Sequence, residues 1–303
     1  MRRSPVKDLI LGTLRDVKET INIKSHVDEI IIPKLHPWVA SYVLFEDGVG
    51  GCGFSAAMYM GTFCLPSVCK VTEILRKVNR ANDAYKVVEE LVKMELESME
   101  DQVLANAIAI SILNALSYRL LDAKNLQLHG YFVEEHLVNG LLFGHSIGIS
   151  LRKLLNRDDK IAIVGFAYWL FPYIVDIAKE IKCLELIEKN LYDVYTLSGM
   201  KPRVEVSEDC EEVLKRADVV LVTGMAIPNE TLSEVITRCK RARLKVAYGP
   251  SCSFYPKRLF RMGFDLLFAM KVPVDYATRL KILDGRGLHP YEDPFTRLVV
   301  IKK

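Results

Sequence analysis

The stretch DVVLVTGMAIPNETLSEVITRCKRARLKVAYGP, residues 218–250, holds two short apolar runs on either side of an amphipathic segment. Runs of that length, rich in β-branched residues and each ended by a glycine, suit strands buried on both faces. The segment between them, with Asn229 in place to cap it, suits a helix. Two strands joined by a helix lie parallel with a right-handed crossover. The pattern extends both ways. KIAIVGF (160–166), CLELIEK (183–189) and FDLLFAMKV (264–272) read as further strands, and FPYIVDIAKEIK (171–182), SEDCEEVLKRA (207–217, Ser207 as cap) and PKRLFRMG (256–263) as further helices. Residues 151–303 are thus expected to form a Rossmann-like, doubly wound parallel sheet. The tail DGRGLHPYEDPFTRLVVIKK (284–303) reads as a loop and an edge strand.

In such a sheet ligands bind outside the carboxyl ends of the strands. Three loops there begin with glycine: VGFAYWLFP (164–172), TGMAIPNET (223–231) and YGPSCSFYP (248–256). Gly165, Gly224 and Gly249 would bring backbone to a shared crevice floored by three helix amino termini, which favours an anion. The candidates lining it are Gly165 and Phe166; Thr223, Gly224, Asn229 and Thr231; and Gly249, Pro250, Ser251 and Cys252. Asn229 is read as a helix cap first and a ligand contact second. The third loop is the richest in usable groups, against the plainer reading of a proline-stiffened turn. A dinucleotide fingerprint is missing. Gly165 is the first loop's only glycine, Tyr168, Trp169 and Phe171 fill places that must stay small, and Glu188 remains as a weak match to a ribose-binding acid.

The first half reads differently. An amphipathic helix over 5–21 precedes VASYVLFEDGVGGCGFSAAMYMG (39–61), two apolar segments about a glycine-rich centre. A Walker-type phosphate loop ends in Lys followed by Ser or Thr and opens a helix; here Cys-Gly-Phe-Ser leads into a second strand, so the expectation is a hairpin whose glycines supply turn torsions. Helices follow at about 70–79, 83–97 and 100–121, the last apolar nearly all round and hence a core helix. Residues 1–150 therefore read as a small α+β domain, with the boundary at 145–158.

The totals fit two domains: 303 residues, half of them hydrophobic and 26% charged. The net charge of +3 is uneven, with 15 Lys and Arg against 18 Asp and Glu in residues 1–150 and 26 against 20 thereafter. That surplus is too small and dispersed for nucleic-acid binding. Seven cysteines without regular spacing read as reduced, and no segment has the apolar length of a signal peptide or membrane span, so a cytoplasmic protein is expected. Metal-ligand spacing is poor: Cys64 and Cys69 are five apart, and His129, His136 and His145 seven and nine.

Three motifs in order, IAIVGFAYWLFP, ADVVLVTGMAIPNETL and VAYGPSCSFYPKRLFRMGFDLLFAMKV, resemble those of the putative heavy-metal-chelation domain family. The first half resembles the enolase amino-terminal-like domain that precedes it there, AIAISILNALSYRL (107–120) matching its Asn-Ala helix. The resemblance implies an interdomain crevice that binds a small anionic ligand, a metal or a metal chelate. It adds Asn114 to the candidates, and implies a divalent or heavy metal ion as the cofactor, its identity unassigned. Tyr168 and Trp169 depart from the family's first loop. The alternative is a transferase or oxidoreductase using S-adenosylmethionine or NAD. A small-molecule or metal partner is expected, with no nucleic acid or membrane; the reaction and any homo-oligomer are left open.

Overall fold

The computed structural model describes residues 4–32, 37–59, 62–63, 73, 75–76, 83–137, 142–165, 167, 170–184, 204–206, 210–275, 279 and 295–303. The expected helix at 70–79 falls almost wholly outside them, as do Ser207, Glu188, Cys64 and Cys69.

The chain opens with α1 (Pro5–Ile21), which has proline in its first turn and buries Val6, Leu9, Ile10, Leu14 and Val17 along one stripe. Asn22 ends it in the left-handed region, at φ 48°, with its N–H on Lys18 O. Strands β1 (Ser25–Ile31), β2 (Trp38–Phe45) and β3 (Gly50–Ala56) form an antiparallel sheet in chain order. The β2–β3 hairpin is as expected, and Gly48 takes its positive torsion at φ 81°. The strand β1 was not legible. Its outer residues, His26, Asp28 and Glu29, hide the alternation.

After a ribbon of β4 (Met58–Tyr59) and β5 (Thr62–Phe63) come α2 (Ala84–Lys93), capped by Asp83, and α3 (Met99–Ser117), capped by Ser98 accepting from Asp101 N at 3.1 Å. Sixteen of the nineteen residues of α3 are buried, as its all-round apolar sequence requires. Then follow α4 (Ala123–Leu128), β6 (Phe132–Leu137) and α5 (Leu142–Arg152).

The rest alternates: β7 (Lys160–Val164), α6 (Phe171–Ile174), β8 (Glu180–Leu184), β9 (Val204–Val206), α7 (Cys210–Arg216), β10 (Val219–Thr223), α8 (Leu232–Arg238), β11 (Leu244–Tyr248), α9 (Lys257–Arg261), β12 (Leu266–Lys271) and β13 (Arg297–Lys302). The large sheet runs β6-β13-β12-β11-β10-β7-β8-β9, and the six strands from β12 to β9 are all parallel. Numbered from β7, their order is 3-2-1-4-5-6, the Rossmann arrangement, so the expected fold class holds. Each central strand buries both faces. Val220, Val222 and Leu267 belong to one apolar cluster with α1, α2, α3, α7, α8 and α9, whereas Val219, Leu221 and Phe268 belong to another with α5 and α6.

Three expectations change. Strand β8 begins at Glu180 rather than 183, because Ile181 and Cys183 alternate inward when paired with β7; the helix expected over 171–182 shrinks to α6. The tail strand β13 is no edge. It lies antiparallel between β12 and β6, with Leu298, Val299, Val300 and Ile301 all fully buried. Finally, α8 is entered through Thr231 as its N-cap, and Asn229 makes no capping bond. The chain passes through Glu230 at φ 59°, which carries Asn229 out of capping position.

Among the described residues Cys210, Cys239 and Cys252 are free thiols. Among the described residues no helix is long and apolar enough to cross a membrane.

Candidate functional site

The carboxyl ends of β7, β10 and β11 lie side by side, so the three glycine-led loops meet as the sequence implied. Gly165 has φ 87°, and a Cβ there would sit 2.5 Å from Thr223 Cγ2. Torsion and space both demand glycine. Gly224 brings its loop against the next one: an added Cβ would meet Cys252 N at 2.8 Å. Gly249 turns at φ 103° and donates its N–H to Phe268 O at 3.2 Å. These glycines pack the loops on one another. The second and third loops open with single 3-10 turns, Gly224–Ala226 and Pro250–Cys252, before α8 and α9 begin, and α6 after the first loop has four residues.

The loop YGPSCSFYP is a cross-brace between the two sheets. Ser251, 1% exposed, accepts from Ala56 N at 2.9 Å and from Ser55 Oγ at 3.2 Å, at the end of β3. Asn114 of α3 donates its amide to Phe54 O at 2.5 Å and to Pro250 O at 2.8 Å. Ser253 Oγ accepts from Met270 N at 2.8 Å and donates to Gly249 O at 3.2 Å. Cys252 is fully buried, and its Sγ donates to Gly249 O at 3.1 Å. Burial pushes this thiol above the ordinary cysteine range.

The glycines of β3 allow this brace. A Cβ on Gly51 would lie 2.1 Å from Ala115 O, and one on Gly53 2.1 Å from Ser111 O, so β3 rests directly on the backbone of α3. The hairpin turn accounts for Gly48; Gly51 and Gly53 serve close packing.

A second bridge runs from α3 to the loop after β10. Asn106, fully buried, donates to Pro228 O at 3.0 Å and to Glu230 Oε1 at 3.1 Å, and accepts from Gln102 Nε2 at 3.2 Å. Glu230 is held in the left-handed conformation where that contact forms. The sequence reading passed over Asn106 and Glu230; the one available signal was a pair of asparagines, 106 and 114, eight residues apart on one helix face of an otherwise apolar segment.

Two oxygens stand out. Asn114 Oδ1 and Asn229 Oδ1 are both buried and, among the described residues, unpartnered. The orientation of Asn114 is dictated by its surroundings. Phe54 O and Pro250 O can only accept, so the amide nitrogen must face them and the oxygen is left over. Thr223 Oγ1 accepts from Met225 N at 3.3 Å, and Thr231 Oγ1 donates to Ala226 O at 3.4 Å. Phe166, Tyr168 and Trp169 lie outside the described residues.

A heavy metal ion bound by the protein alone asks for thiolate, imidazole or carboxylate ligands. No group of three or more His, Cys, Asp or Glu able to hold one occurs among the described residues. Three of the six histidines, His129, His136 and His145, lie apart: His129 stacks edge-on against Tyr255, His145 against Tyr173, and His136 stands 3.8 Å from Glu134. The two neutral oxygens without a partner, Asn114 Oδ1 and Asn229 Oδ1, sit on α3 and on the loop after β10.

Residues 149–301 match the family model DUF364, described as "Putative heavy-metal chelation". A crystal structure of a DUF364 protein of unknown function from Pyrococcus horikoshii aligns over 98% of this chain and 99% of its own, at 14% identity and a TM-score of 0.64. Another, from Desulfitobacterium hafniense, aligns over 96% and 98%, at 15% identity and a TM-score of 0.60. These likenesses extend the shared fold to nearly the whole chain. An uncharacterized protein of Methanocaldococcus jannaschii is 29% identical over 125 residues, 39% of this chain and 44% of that relative. The match therefore spans less than half of the relative's length.

Proposed function

We propose that this chain, which belongs to the DUF364 family, binds a small anionic molecule carrying a metal ion, a metal chelate, at the crest formed by the loops after β7, β10 and β11. The observation that carries the reading is the left-over oxygen of Asn114. A buried acceptor without a partner costs about 1–3 kcal/mol, and a coordinated cation or a donor on the ligand would relieve it. Asn229 Oδ1 is the second such acceptor. A chelate suits the chemistry better than a bare ion, because neutral carboxamide and hydroxyl groups hold a metal weakly unless the ligand itself supplies the charged donors. The nucleotide-cofactor alternative has no feature among the described residues to favour it.

The test is elemental analysis and native mass spectrometry of purified protein, followed by thermal shift with cobalt(II), nickel(II) and zinc(II), each alone and as its citrate complex. A complex at 100 times its dissociation constant stabilises by about 2.7 kcal/mol. The expected result is a rise in melting temperature with a citrate complex that exceeds the rise with the metal alone. Asn229→Ala should remove most of that rise without lowering the unliganded protein's melting temperature. Protein that carries no metal or small molecule, and shifts with none of these additions, would refute the proposal.

A further inference from the structure

Strand β6 closes the large sheet on one side, and among the described residues nothing pairs with its outer edge. An open edge strand ordinarily carries charges or a bulge that discourage association. Here it is flanked by exposed apolar side chains: Leu128 is 75% exposed, Phe132 72% and Leu137 64%. Beside it lies a cavity of about 510 Å³, lined by Gln127, Tyr131, Phe132, Val133, Glu134 and Val300 among others.

The sequence of the strand, FVEEHL, is complementary to itself when run antiparallel. With a two-fold axis through Glu135, Glu134 faces His136 of a second copy, and His136 faces Glu134. Val133 then faces Leu137 of the second copy, twice over. The pairs separate cleanly by face. The register with β13 puts Val133, Glu135 and Leu137 on one side of the sheet and Glu134 and His136 on the other. The one like-charged meeting, Glu135 with its own copy, is offset within each chain, because Glu135 binds Arg297 at 3.0 Å and accepts from Ala123 N at 3.0 Å. A register centred between Glu134 and Glu135 would instead oppose two Glu–Glu pairs, which cross-strand energetics disfavour. The exposed Leu137 of the second copy, opposite Val133, would also arrive at the cavity that Val133 lines.

From this we infer that two copies of the chain join through β6, antiparallel and centred on Glu135, to make one sheet of sixteen strands. The surface lies at the opposite side of β12 from the crest, so it is independent of the ligand reading.

The test is sedimentation equilibrium of the full chain, with four variants chosen at exposed or edge positions. Wild type is expected to be dimeric at micromolar concentration. Leu137→Lys should raise the dimer dissociation constant tenfold or more. Glu134→Lys, which sets an ammonium opposite His136 in place of the carboxylate, should weaken the dimer, and the exchange Glu134→His with His136→Glu should restore it. Glu135→Cys, on air oxidation, should give a disulfide-linked dimer on non-reducing gels that wild type does not give. A monomeric wild type at 100 µM would overturn the inference. So would a dimer indifferent to Leu137→Lys, since that dimer would use another surface.

Discussion

Replacing Gly53 by alanine tests whether β3 must lie on the backbone of α3. The added Cβ would stand 2.1 Å from Ser111 O and 2.4 Å from Ala115 N, both backbone atoms of a helix buried nearly all round. Ordinary contact begins at 3.4 Å, so strand and helix would have to part by about 1.3 Å. Overpacking of this kind costs about 1–3 kcal/mol. The shift also pulls on Phe54 O, whose hydrogen bond from Asn114 is worth about 1 kcal/mol. The expected destabilisation is therefore about 2–4 kcal/mol. With an unfolding entropy of about 2.1 cal/mol/K per residue, a chain of 303 residues loses about 1.6 °C of melting temperature per kcal/mol, or about 3–6 °C here. Gly50→Ala is the comparison, because its nearest neighbour is the methyl Val274 Cγ1 at 3.1 Å, a side-chain atom able to yield. Circular dichroism melts of wild type and the two variants decide the matter. A Gly53→Ala protein melting within 1 °C of wild type, or a Gly50→Ala protein falling equally far, would refute the packing account.

Two further outcomes follow from burial. Asp16, 4% exposed at its side chain, is resisted in its charge by burial, but hydrogen bonds and attraction from Arg258 and Lys257 prevail and hold its carboxyl below the usual range. Stability from a lowered carboxyl is present above the unfolded value of about 3.9 and is lost as pH falls through the folded value. Wild type should therefore lose more melting temperature between pH 5 and pH 3 than Asp16→Asn, and equal losses would exclude the ion pair as the cause. Buried Cys252 should resist iodoacetamide at pH 8 in the native protein while half-buried Cys210 reacts, as peptide mass spectrometry reads directly; labelling of both at one rate would contradict its burial.

The strands 160–166, 218–224 and 244–250 were legible because a parallel strand buried on both faces is a continuous apolar run, and its glycine end marks the turn to the crest. Their adjacency followed from the order that right-handed crossovers impose. The hairpin at Gly48 was legible for the same local reason. Strand β6 was not, because FVEEHL mixes charges into a strand that meets the core on one face only. In YGPSCSFYP the serines and cysteine look available in sequence, while in the structure their side chains hydrogen-bond to Ala56, Met270 and Gly249, the first two of them partners that no local pattern records.

What the sequence determined by itself was the alternation of elements, the Rossmann order they imply, the helix that opens the chain and the all-buried character of α3. Each of these is written in residues a few positions apart, where periodicity and caps act. What only the tertiary structure decided lies between distant residues. Asn114 reaches across 136 positions to Pro250, Asn106 across 124 to Glu230, and β6 finds β13 at the far end of the chain. No local pattern records such pairings, since they are selected by which buried polar groups and which sheet edges find partners once the elements have packed.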